Sequence, residues 1–216
     1  MFSTGKYKLF EDRRDAGERL GEQLKAKYEG QNPLIIGIPR GGVEVGYYVA
    51  AALKAEFSLV VSRKLPLPGN QELGFGAVTE QSGVYVSGFG REMLDEGTIE
   101  DIIEEQFVEV KRRVDLYRNG LPLPEMKGRI VILVDDGIAM GVTLVPVIAL
   151  CRNNGASKVI IAVPVSGLSY DIHLSRADAI EVLFQPEDFQ GVGQAYRHFG
   201  EFTDNQVLRL LRLGFK

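Results

Sequence analysis

With 216 residues, 45% of them hydrophobic, the chain can bury a sizeable core, and its formal net charge of -4 supplies no basic field. No basic run alternates with aromatics, which argues against a general nucleic-acid binder. Cys151 is the only cysteine, so no internal disulfide or cysteine-based zinc site can form, and the two histidines, His173 and His198, stand too far apart in sequence to suggest a metal site.

Taken in chain order, the opening MFSTGKYKLFEDRRDAGERL has no apolar signal core, and no run reaches the ~20 apolar residues that span a bilayer. A soluble, cytoplasmic protein without membrane association is the expectation. Asp12 to Tyr28 places Ala16, Leu20, Leu24 and Tyr28 at helical spacing. LIIGI at 34–38 reads as a short buried strand that ends in Pro39-Arg40-Gly41-Gly42, and Val43 to Leu53 as a helix of small residues. SLVVS at 58–62 is a second strand, and the Pro/Gly-rich LPLPGNQELGFG after it reads as an irregular loop. Short strands follow at 75–79 and 84–87, then one long charged helix over 92–118, whose Glu and Arg read as a solvated face. RIVILV at 129–134 is the strongest strand, followed by a helix over 141–153, a strand at 159–165, a short helix, and a strand at 179–184. Apolar strands alternating with helices predict an α/β fold, a doubly wound and mostly parallel sheet flanked by helices.

Ligands of such sheets bind beyond the carboxyl ends of the strands, where three segments fall: 39–42, Arg63-Lys64 with its loop, and 135–143. In ILVDDGIAMGVTL the strand ends in Asp135 and Asp136, which leave it in different directions. They can accept from the two hydroxyls of a ribose, or one can accept while the other sits near a bound metal. The glycines that follow let backbone N–H groups turn inward at a helix start, where phosphate is favoured, and Thr143 adds a hydroxyl. A strand ending in Asp-Asp-Gly is also common as a plain turn. No G-x-x-x-x-G-K-[ST], G-x-G-x-x-G or G-x-S-x-G is present, which argues against a P-loop NTPase, a dinucleotide enzyme and a serine hydrolase.

VILVDDGIAMGVT resembles the phosphoribosyl-pyrophosphate (PRPP) signature of type I phosphoribosyltransferases. Ile38-Pro39-Arg40-Gly41-Gly42 resembles the pyrophosphate loop of that family, Val61-Ser62-Arg63-Lys64 the strand end before its flexible loop, and PEDFQGVGQAYRHF at 186–199 the hood segment of its purine enzymes. The resemblance implies one domain over 1–216, with a small hood formed mainly by 185–200 and completed by the N-terminus. It implies transfer of the 5-phosphoribosyl group of PRPP to a nitrogenous base with release of pyrophosphate. Asp135 and Asp136 would hold the ribose hydroxyls and steady the cationic ring. Ala139, Met140, Gly141 and Thr143 would hold the 5′-phosphate, and Gly137 would also belong to the PRPP-binding set. Arg40, Gly41 and Gly42 would cradle the pyrophosphate, often through a cis peptide with no proline nitrogen, and Arg63 and Lys64 would neutralise it. Mg2+ would bridge the diphosphate and the ribose hydroxyls, near Asp135, rather than sit in a protein cage. The loop from Leu65 to Gly74 would close over the site, and Phe189 would stack on the base.

Two departures stand out. Met140 replaces the usual threonine of the phosphate loop, and losing that hydrogen bond to a charged group costs about 1.5–3 kcal/mol if nothing replaces it. Ala139 stands where 6-oxopurine enzymes of the family have an aspartate, and Pro164-Val165-Ser166 where they carry a lysine, so hypoxanthine and guanine are not supported as acceptors. Glu80 lies near the position of a base-side glutamate in the adenine enzymes, although a solvated turn acid explains it as well. The length of helix 92–118 fits packing against the hood or against a second copy in a homodimer. Alternatives are a PRPP-binding regulatory protein on the same fold, or an unrelated magnesium-dependent sugar-phosphate enzyme.

Overall fold

The strand-to-helix alternation builds two sheets. The computed structural model describes residues 8–214. The chain runs through α1 (Arg13–Tyr28), β1 (Leu34–Gly37), α2 (Gly41–Leu53), β2 (Glu56–Leu59), β3 (Ser62–Leu67), β4 (Asn70–Thr79), β5 (Gly83–Val86), α3 (Gly88–Met93) and α4 (Glu96–Arg118). It continues through β6 (Ile130–Val134), α5 (Val145–Asn153), β7 (Lys158–Val165), β8 (Ala179–Phe184) and α6 (Asp204–Gly214). Five strands form a parallel sheet in the order β2-β1-β6-β7-β8, and three form an antiparallel sheet in the order β3-β4-β5.

Helices cover both faces of the parallel sheet, so both sets of alternating side chains are apolar. Ile35, Ile132, Val134 and Ile160 face one core with Leu20 and Leu24 of α1 and Val45 and Val49 of α2. Leu34, Ile36, Val131, Leu133 and Ile161 face the other with Val147 and Ile148 of α5. Each such side chain contributes roughly 1.5–3 kcal/mol on burial. The mostly parallel α/β architecture expected from the sequence is the one observed. Among the described residues, no helix is long and apolar enough to cross a membrane.

Four local expectations are corrected. Residues 65–74 are not an irregular loop but the arms of a hairpin, with Leu67 paired to Asn70 across Pro68-Gly69 and Gly69 at φ +80. Pro66 is accommodated because β3 is an edge strand whose register shifts on either side of it. The helix over 92–118 is two helices, since the side chain of Asp95 caps α4 by accepting from Thr98 N (2.9 Å) and Thr98 Oγ1 (2.7 Å). The helix over 141–153 starts only at Val145, because Gly141 sits at φ +79 within a turn. The C-terminal α6, with Val207 and Leu211 buried, lies outside the elements read from the sequence.

Glu80 is not a solvated turn acid, for it is buried. Its carboxylate forms a fork with Arg118, accepting from Nη1 at 2.8 Å and also from Nη2, and takes Val61 N at 2.9 Å. Arg118 also donates to Leu59 O and Leu121 O, so this buried pair is fully satisfied and joins α4 to the end of β4. Removing one partner of such a pair strands the other in the core. Glu80→Ala is expected to lose about 3–5 kcal/mol in urea unfolding with little change in m. A loss under about 1 kcal/mol would mean that the pair behaves as a solvent-screened surface bridge.

Candidate functional site

Between β1 and β6 the sheet changes direction: β1 leads outward to β2, whereas β6 leads the other way to β7 and β8. At such a switch point the two strand-end loops part and leave a crevice. Ile38 to Gly42 leaves β1 there, and Asp135 to Thr143 leaves β6 beside it, since Gly37 pairs with Val134. The Pro39–Arg40 peptide bond is cis, as the resemblance implied. Gly41 and Gly42 are dictated by close approach. A Cβ at Gly41 would fall on the Asp136 carboxylate, and one at Gly42 would lie 2.7 Å from both Asp135 Cα and Val134 O. The glycines of one loop are thus the seat for the acids of the other.

Past that contact lies a cavity of about 190 Å³ lined by Asp135, Gly137, Ala139, Met140, Gly141 and Thr143, with Lys64 and Gly74 of the hairpin and Val192 on its walls. The backbone N–H groups from Ala139 to Thr143 donate to no group among the described residues. The loop is held from outside instead: Asp171 N donates to Met140 O (2.9 Å) and Ser62 Oγ to Thr143 O (2.7 Å). A ring of unspent donors beside one carboxylate suits an anion next to a hydroxyl. Lys64 and Thr143 also line a second cavity of about 380 Å³, together with Pro39, Ser62, Arg63 and Arg113. Burial pushes the Arg63 guanidinium down from its ordinary value, with the neighbouring Arg113 as the next cause. Glu109, which accepts from Arg112 and Arg113, is held down at about 2, first by the Arg112 hydrogen bond.

The remaining expected residues stand around these cavities. Asp136 points away from the first cavity and pairs with Arg13, Nε to Oδ2 at 2.9 Å, while its carbonyl accepts from the Tyr196 hydroxyl at 2.6 Å. Arg13 donates in turn to Gly200 O (2.9 Å) and covers the ring of Phe199 at 4.1 Å. Arg40 turns to Glu201 (2.5 Å) and lies 3.9 Å from Asp204. Phe189 packs over Gly167, and Val192 of the same segment packs over Gly137 and reaches the cavity. Residues 195–198 are joined to the chain start by Phe10 N to Ala195 O, Arg197 N to Phe10 O and His198 N to Glu11 O, each at 2.9 Å. The sequence reading missed Arg13, Ser62, Arg113 and Tyr196. Ser62 and Tyr196 lie inside segments that carried the resemblance but had no role assigned, Arg13 and Arg113 lie in plain helical runs, and each acquires its place through contacts made in the fold.

The phosphoribosyl transferase domain model matches residues 7–198, a span that takes in both strand-end loops and the 185–198 segment. The chain belongs to this family. Two provisionally named phosphoribosyl transferases of Mycobacterium tuberculosis, from strains CDC 1551 and H37Rv, are 38% identical to it over 208 residues, covering 94% of this chain. The chain spans about half the length of these curated relatives, 46% of each. The crystal structure of TT1426 from Thermus thermophilus is 35% identical with a TM-score of 0.78, covering 94% of this chain and 97% of that one.

In this phosphoribosyl transferase domain the two acids are not equivalent. Burial, and then the charge of Asp136, push the Asp135 carboxyl well above the usual carboxylate range. Burial also raises Asp136, against the opposing pull of Arg13. Because the folded-state value of Asp135 lies above its unfolded value of about 3.9, ionisation at neutral pH opposes folding, and that cost disappears once the group is protonated in both states. Asp135→Asn keeps the shape and the acceptor for Asp136 N (2.8 Å in the native protein). It is therefore expected to raise the melting temperature at pH 7, by about 2–4 °C per kcal/mol relieved. The gain should shrink as pH falls toward about 4. A variant that melts lower at pH 7 would show that Asp135 is stabilised as an anion.

Proposed function

We propose that this domain transfers the 5-phosphoribosyl group of PRPP to a nitrogenous base and releases pyrophosphate. The observation that carries this reading is the adjoining pair of cavities, one with unspent amides beside Asp135 and one with arginines, meeting at Lys64 and Thr143. A 5′-phosphate would take the amides of Ala139 to Thr143, and Asp135 would accept from a ribose hydroxyl, with Asp136 behind it. The diphosphate would then face Arg63, Lys64 and the 39–42 loop. In the reaction a base nitrogen forms a bond to C1′ as the C1′–O bond breaks. The electron pair leaves on the diphosphate, and the base gives up its proton. The carboxylates oppose the positive charge growing on the ring, and the cations oppose the negative charge growing on the leaving group.

Magnesium on the diphosphate would supply further neutralisation. Among the described residues no three His, Cys, Asp or Glu side chains gather as a cage, and the donor set, Asp135 at a cavity wall, fits an ion held mainly by ligand oxygens. The β3–β4 hairpin would close over the ribose and exclude water. Residues 185–200 with the chain start would form the hood, where Phe189 would meet the base. With Ala139 in the loop and Pro164-Val165-Ser166 at the end of β7, an acceptor other than hypoxanthine or guanine is favoured. Action in the cytoplasm, as a homodimer, belongs to the same proposal. The ion pair that occupies Asp136 favours a second reading, a PRPP-binding regulatory protein.

A screen of free bases with PRPP and magnesium is expected to give pyrophosphate release with at least one base, abolished in Asp135→Asn. PRPP binding without release from any base would favour the regulatory reading. Met140 lines the cavity and is 46% exposed, so a smaller residue fits there. Met140→Thr is expected to tighten PRPP about fivefold in calorimetric titration, by adding one charge-assisted hydrogen bond. Weaker binding would mean that the methionine shapes the loop for a different anion.

A further inference from the structure

We infer that Arg113, on α4, is a diphosphate ligand that works as a pair with Arg63. The identity of the diphosphate as that of PRPP rests on the phosphoribosyl-transfer reading, whereas the anion site itself rests on geometry. Both guanidinium groups are tethered through Nε by one stretch of α4: Arg63 Nε donates to Gln106 Oε1 at 2.9 Å, and Arg113 Nε to Glu109 Oε1 at 2.8 Å. Gln106 and Glu109 are three residues apart and share a helix face. Gln106 is only 4% exposed, so the tether of Arg63 is itself fixed in the core.

Tethering at Nε leaves the far ends of the guanidinium groups to act. The terminal nitrogens of Arg113 meet no partner among the described residues, although its side chain is just 11% exposed. They are not sealed in, because Arg129 Nε is the one buried, unpaired side-chain nitrogen among the described residues. The open space they reach is the cavity of about 380 Å³ between the cis Pro39–Arg40 loop and Thr143. Charge points the same way. Glu109 serves Arg112 and Arg113 directly and lies 3.8 Å from Arg63, and Asp204 stands 3.4 Å from Arg112, so two carboxylates face three cations. Glu105 stands only at the exposed rim. Two rigid forks and Lys64 around a space of this size suit two linked phosphates better than one, because each fork can take a phosphate bidentately.

Calorimetric titration with inorganic pyrophosphate, with inorganic phosphate, and with PRPP plus magnesium tests the inference. The native protein is expected to bind pyrophosphate more tightly than phosphate. Arg113→Ala should weaken pyrophosphate by roughly tenfold or more, the size of one lost hydrogen bond to a charged group. Arg112→Ala, a change at a half-exposed neighbour, should stay within about twofold as a screened surface charge. If Arg113→Ala does not fold, Arg113→Lys decides, and it should still weaken binding about threefold because it keeps the charge but loses the fork. Undiminished pyrophosphate affinity in a folded Arg113 variant, or no pyrophosphate binding by the native protein, overturns the inference. Pyrophosphate binding that needs Arg113, with no binding of PRPP, keeps the anion site and removes the transferase reading instead.

Discussion

Everything at the crevice depends on one close contact, the backbone of Gly41 and Gly42 pressed against Asp135 and Asp136. Two carboxylates at the end of a buried strand would ordinarily repel each other and draw in water. Here they are separated by direction: one faces the cavity wall and the other faces Arg13. That division is possible only if the neighbouring strand end carries no side chains, because any Cβ at those two positions would occupy the space of the carboxylates. The parallel pairing of β1 with β6 then holds the contact in register from below.

The parts of the site that sequence made legible are those whose chemistry is local. A strand that ends in acids and then glycine, or in Pro-Arg-Gly-Gly, signals a backbone geometry within a few residues, and the fold places both at the same switch point. Alternation of apolar runs with helical spacing was enough to specify the parallel sheet. Composition alone could not separate a hairpin from a loop at 65–74, since Pro68-Gly69 serves either. The cap at Asp95 was hidden in a charged run. Arg13 lies 123 residues from Asp136, and Glu80 lies 38 from Arg118, so neither pairing leaves a trace in local pattern.

The Glu80–Arg118 and Arg13–Asp136 ion pairs serve different ends. Glu80 and Arg118 have every strong donor and acceptor matched, which makes them a structural joint between the antiparallel sheet and α4. By locking α4 at its C-terminal end, this joint also sets where Gln106, Glu109 and Arg113 stand relative to the 39–42 loop. Arg13 and Asp136 form a less closed arrangement, in which the guanidinium also reaches Gly200 O and the face of Phe199.

That arrangement ties a strand-end acid to the backbone at 196–200, and the tie constrains how the protein can diverge. Exchanges at Tyr196, Phe199 or Gly200 move Arg13, and with it Asp136, so a lineage cannot remodel that part of the 185–200 segment without disturbing the floor of the crevice. Positions 187–190 make no hydrogen bond or ion pair to Arg13 or Asp136 among the described residues, so sequence drift there leaves the acid in place. The clamp divides the segment into a half that is free to vary and a half that must travel with the acids.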